Sequence, residues 1–171
     1  MAAGDSGQSR SGGERFRTML PWYAIGLLIG AVRLVVGGIL PAGSAGLLVP
    51  SIVLALAMVL LLVWAGWTAR RSKLRPSWQA ALVGVWYGVP AGLTNVLFPL
   101  TPAQVAARLA KAQPRLHLTA AQLQLAQQGA DSVASHWEGF AETIILYALL
   151  GLLLGWLGAL FAPGTPGSRA V

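Results

Sequence analysis

Between Leu20 and Leu40 runs LPWYAIGLLIGAVRLVVGGIL, 21 residues that are apolar or small apart from one arginine, Arg33. A run of that length with a single charge predicts a membrane-spanning helix. A guanidinium at that depth costs from about 3 to more than ~10 kcal/mol unless it snorkels or meets a partner. Whatever the rest of the chain does, it must supply that partner.

Three further runs share the character of the first: 47–67, uncharged; 78–98; and 140–161, in which Glu142 is the one acid. Of the 171 residues, 56% are hydrophobic and 10% charged, far from the roughly 25% charged of a soluble domain. The predicted fold is therefore all-α, an integral membrane bundle of four transmembrane helices spanning 20–162, with a short helical extracytoplasmic segment, 101–139, between the third and fourth. Residues 1–19 read as a disordered basic tail and 163–171 as a disordered tail. Within the first of these, Ser11-Gly-Gly-Glu14 fits a capping pattern for a short turn. A basic flank followed by an apolar run also resembles a signal peptide, but the run is longer than a normal apolar core and Arg33 interrupts it.

Small residues recur at helical spacing. Gly26 and Gly30 lie four apart in the first span, Gly84, Gly88 and Gly92 share one face of the third, and Gly151 and Gly155 share one face of the fourth, each pattern allowing close helix approach. Pro90 lies inside the third span, where it removes one backbone hydrogen bond and predicts a kink. Pro21 and Pro50 suit first helical turns, and Ser77 suits the N-cap of the third helix. In the external segment, Thr101-Pro-Ala-Gln104 and Thr119-Ala-Ala-Gln122 read as capping boxes, each opening a short amphipathic helix, with Pro114 separating the two. Asp131 or Ser132 caps the last helix.

Four spans put both termini on one side. That side carries Arg10, Arg15, Arg17, Arg70, Arg71, Lys73, Arg75 and Arg169, against Arg108, Lys111 and Arg115 on the other. Eight against three places both termini in the cytoplasm, with Arg70, Arg71, Lys73 and Arg75 as the main topology-setting cluster. In that orientation Arg33, Asn95 and Glu142 all fall in the outer half of the bilayer, so a buried ion pair between Arg33 and Glu142, aided by Asn95 and by Thr94 or Thr143, is the expected polar cluster.

Other chemistries find little support. The net charge of +7 sits beside apolar spans and not along a soluble face, so nucleic acid is not an expected partner. There is no cysteine, which excludes disulfides and thiolate chemistry. His117, His136, Asp131 and Glu138 match no compact metal-ligand spacing, and no G-x-S-x-G, Walker loop or H-E-x-x-H occurs. No cofactor, metal or enzyme activity is expected.

In span order and loop lengths the chain resembles small bacterial inner-membrane proteins with four spans and one longer helical loop between the last two. The resemblance covers residues 20–162 and implies a multi-pass location in the cytoplasmic membrane, with no activity and no site residue. The expected function is that of a non-catalytic accessory or scaffold subunit, whose glycine-faced helices pack with one another, a membrane-protein partner or a second copy. The alternative is a small transporter or oligomeric channel with a polar path at Arg33, Asn95 and Glu142. The two differ in what surrounds Arg33: a closed ion pair fits the scaffold, and a water-accessible cavity fits transport. A third reading, a surface sensor, requires an exposed apolar groove on 101–139.

Overall fold

A computed structural model describes residues 7–39, 45–116, 119–130 and 132–162. Six helices follow in order: α1 (Gly7–Ile39), α2 (Ala45–Arg71), α3 (Pro76–Leu97), α4 (Pro102–Leu116), α5 (Ala120–Ala130) and α6 (Val133–Leu160). No strand occurs among the described residues. Four of the six, α1, α2, α3 and α6, are long and apolar enough to cross a membrane.

The direction of each helix follows from which residues meet. Going along α1, Gly26 faces Val83, Gly30 faces Tyr87 and Gly37 faces Thr94, so α1 and α3 are parallel. Going along α3, Gly84 faces Tyr147, Gly88 faces Ile144 and Gly92 faces Phe140, so α3 and α6 are antiparallel. Gly66 of α2 faces Gly155 and Gly158 faces Val63, a close crossing of the C-terminal parts of α2 and α6, whose N-terminal parts lie together at the other end, so these two helices are parallel. The result is an up-down bundle with α3 at its centre. Half of the apolar window of α3 is buried, against 22% in α1 and α2 and 17% in α6.

Close approach explains where the glycines stand. A Cβ on Gly30 would lie 2.5 Å from the Tyr87 carbonyl oxygen and 2.6 Å from Pro90 Cγ, and one on Gly151 would lie 2.6 Å from Ala81 Cα. Backbones meet there with no room for a side chain. Around these contacts Met19, Met58, Leu62, Val83 and Tyr87 form a fully enclosed core. It lies toward the end of the bundle where α2 finishes and α3 begins. Large apolar side chains such as Leu48, Val49, Val53, Leu56 and Leu60 point outward, the arrangement expected when the surrounding solvent is hydrocarbon.

Several local readings of the sequence are corrected. Helix α1 begins at Gly7, so residues 7–19 are helical and not a disordered tail, and Met19 belongs to the core. Helix formation is costly to start and favourable to extend, so the span carries the helix upstream through Ser11–Glu14. Pro21 is accordingly an interior residue, as is Pro50. Arg75, not Ser77, is the N-cap of α3, because Pro76 with its fixed φ occupies the first helical position. Pro90 does lie inside α3, as the sequence places it, and is buried against α1. α4 continues through Pro114 to Leu116. Ser132 does cap α6, its hydroxyl accepting from the Ser135 N–H at 3.2 Å. The expectations for 1–6, the turn at 41–44, His117, Asp131 and the tail 163–171 fall outside the described residues.

Candidate functional site

The end of the bundle opposite the core is not closed. There the C-terminal part of α1, the N-terminal part of α2, the C-terminal part of α3 and the N-terminal part of α6 surround a cavity of about 500 Å³. Arg33, Asn95 and Glu142 all line it. Ser51, Thr94, His136 and Thr143 add further polar groups, and Val36, Leu54 and Ala91 supply apolar wall.

Each polar side chain is held by a different element. Arg33 is half-buried on α1, with the Tyr87 hydroxyl as a neighbour of its charge. The Tyr87 ring packs edge-on against Tyr147, centroids 4.4 Å apart, so α3 and α6 meet directly beneath the cavity. Higher on the same pair of helices, Asn95 Nδ2 donates to the Gly139 carbonyl at 3.0 Å and to Thr143 Oγ1 at 3.3 Å. Thr143 Oγ1 in turn donates to the Gly139 carbonyl at 2.7 Å. Gly139 permits this, since a Cβ there would stand 3.3 Å from Asn95 Nδ2.

The ion pair expected from the sequence is absent among the described residues: Arg33 and Glu142 share the cavity, but neither makes a salt bridge within 4.0 Å. Nor is the cluster closed from outside. Asn95 and Glu142 are exposed, and the described residues include no fully buried charged side chain. The physical reason is the packing order of the helices: among the described residues α1 and α6 each pack against α3 and make no contact with each other, so the two charges stand on helices that do not meet.

Among the described residues, two enclosed hydroxyls are left without hydrogen bonds: Thr94 Oγ1, in the cavity wall, and Tyr87 Oη, beneath it. Orphaned buried polar atoms are uncommon in native structures and mark places where water or a ligand is usually found. Comparison with known protein families, curated proteins and solved structures gives no match to this chain.

Helix α4 closes part of the mouth. Its orientation is set by the Thr101 box: the Thr101 N–H donates to Gln104 Oε1 at 2.9 Å and the Gln104 N–H to Thr101 Oγ1 at 3.4 Å. This turns Val105, only 7% exposed, down into the cavity. The second box, at Thr119 and Gln122, is formed in the same way.

Among the described residues no group of three His, Asp or Glu side chains is placed to hold a metal ion. What the site offers is one cationic and one anionic group, hydroxyls and an amide, around a space of small-molecule size. Sequence reasoning missed Ser51 and Tyr87 and considered His136 as a metal ligand, for which its spacing is unsuited. Ser51 was within reach, because it is the one hydroxyl-bearing residue in 47–67 and polar positions inside spans tend to face a cavity or one another.

Proposed function

We propose that this chain is a multi-pass protein of the bacterial cytoplasmic membrane that binds a small polar solute, acting as a small transporter or the subunit of an oligomeric channel. The observation that carries the reading is the cavity holding Arg33 and Glu142 without an ion pair between them. Two charges that only fixed helix register would be expected to neutralise each other. Two charges held apart in an open polar space are available to a ligand.

The scaffold reading has less to stand on. The glycine faces that would receive a partner are used within the bundle, at Gly26, Gly30, Gly84, Gly88, Gly92, Gly151 and Gly155. Orientation follows from charge. Arg70, Arg71, Lys73 and Arg75 stand at the closed end, where the Arg71 guanidinium lies 3.8 Å from the centroid of the Trp67 ring. By the positive-inside rule this end faces the cytoplasm, with both termini, and the cavity opens to the other side.

The lack of cysteine gives a direct test. Ser51→Cys is expected to react with a membrane-impermeant maleimide applied to intact cells, whereas Ser72→Cys in the α2–α3 turn is expected to react only after permeabilisation. A Ser51→Cys protein that stays unlabelled under both conditions contradicts the reading.

A further inference from the structure

We infer that the solute is a zwitterion, with its anionic group on Arg33 and its ammonium group on Glu142. The inference rests on the reading above, that the cavity is a solute site, and specifies what enters it.

The charges of the wall carry the argument. A simple anion would satisfy Arg33 but bring its charge toward the Glu142 carboxylate, and a simple cation would do the reverse. A neutral solute would displace water from both charges and compensate neither, and an unpaired charge in a partly desolvated site is unfavourable. Only a molecule carrying both signs neutralises both walls at once. The two groups sit on different helices, Arg33 on α1 and Glu142 on α6, so one such molecule would bridge elements that otherwise do not meet.

The uncharged polar groups match this chemistry. The Asn95 amide nitrogen is committed to Gly139 and Thr143, which leaves its side-chain oxygen as an acceptor for an ammonium N–H. Thr94 Oγ1, enclosed and without a partner in the same wall, is able to donate to a carboxylate or phosphate oxygen. A volume of about 500 Å³ lies within the usual range for small-molecule sites and fits an amino-acid-sized solute. The same pairing of anion and ammonium occurs in a free amino acid and in the headgroup of phosphatidylethanolamine, and the experiment separates these sources.

The full-length Ser51→Cys protein is placed in nanodiscs of phosphatidylglycerol, and the rate of maleimide labelling is measured alone and with three saturating pools: neutral L-amino acids, acetate with propionate, and methylammonium with ethylammonium. The amino-acid pool is expected to slow labelling, and the other two are not. Arg33→Gln and Glu142→Gln are each expected to weaken that protection by tenfold or more, read as the ratio of protected to unprotected rate within the same variant, and continued labelling at position 51 in each shows that the cavity still forms. If the amino acids have no effect but labelling is slower in phosphatidylethanolamine than in phosphatidylglycerol, and both variants erase that difference, the zwitterion is the lipid headgroup. Protection by the carboxylate pool that survives Glu142→Gln overturns the inference in favour of an anion site. Labelling that proceeds at one rate under every condition overturns it as well. A Ser51→Cys protein that never reacts removes the cavity reading and this inference together.

Discussion

Arg33 and Glu142 line one cavity from two different helices without touching. This separation distinguishes the bundle from one locked by an internal salt bridge. In a closed buried pair, removing one partner costs about 3–5 kcal/mol because the other charge is stranded. Across a hydrated space the coupling is much smaller, since the Coulomb energy falls with both distance and effective dielectric. Arg33→Gln and Glu142→Gln, made singly and together, are therefore expected to give a coupling energy of about 1 kcal/mol or less. Thermal unfolding followed by tryptophan fluorescence in detergent measures it, and a coupling of several kcal/mol would restore the closed pair.

Tyr23 and Tyr87 make opposite predictions for one substitution. The Tyr23 hydroxyl donates to Gln79 Oε1 and ties α1 to α3. Tyr23→Phe is expected to cost about 0.6 kcal/mol, the average for hydrogen bonds between membrane helices. The Tyr87 hydroxyl is enclosed without a hydrogen bond, so Tyr87→Phe removes a polar group that folding has desolvated. It is expected to be neutral or stabilising by up to about 1 kcal/mol. The difference between the two midpoints is the quantity to compare.

Glycine substitutions separate packing from propensity. A Cβ on Gly84 would collide with the Tyr147 carbonyl of α6, whereas one on Gly129 of α5 would meet nothing within 4 Å. Gly84→Ala is expected to destabilise by about 1–3 kcal/mol through overpacking. Gly129→Ala is expected to stabilise α5 by about 0.5–1 kcal/mol, because glycine is a poor helix former. Unfolding midpoints test the first, and amide exchange across 120–130 tests the second.

The sequence made the elements legible and left their joints obscure. Four long apolar helices, the two threonine boxes and the Ser132 cap could be read because each depends on a local pattern: apolar length, or an acceptor three residues before a donor. The starts of α1 and α3 could not. Gly7–Met19 looked unstructured by composition, yet a helix already nucleated in the span extends into it. Ser77 looked like a cap until Pro76 took the first helical position. At the site, depth within the spans was enough to place Arg33, Asn95 and Glu142 in one region. Whether Arg33 and Glu142 touch depends on which helices are neighbours; α1 and α6 each pack on α3 and not on each other, an order in three dimensions that leaves no periodic trace in one.

Helix α4 yields a prediction of its own. The Thr101 box orients it, and Val105 is its anchor in the cavity wall. Thr101→Ala is expected to cost about 1 kcal/mol of local helix stability. Amide exchange over 102–116 should quicken several-fold while exchange in α3 stays as it was. Equal changes in both would mean that α4 and the bundle open as one unit.

One end of the bundle is expected to admit water and the other to exclude it. A ladder of single cysteines down α3 tests it: Phe98, Thr94 and Ala91, which line the cavity, then Val83 and Ala80, which are fully buried. With an impermeant maleimide, the first three are predicted to react and the last two to remain unmodified. Labelling at Thr94 and Ala91 as low as at Val83 and Ala80 would contradict the account.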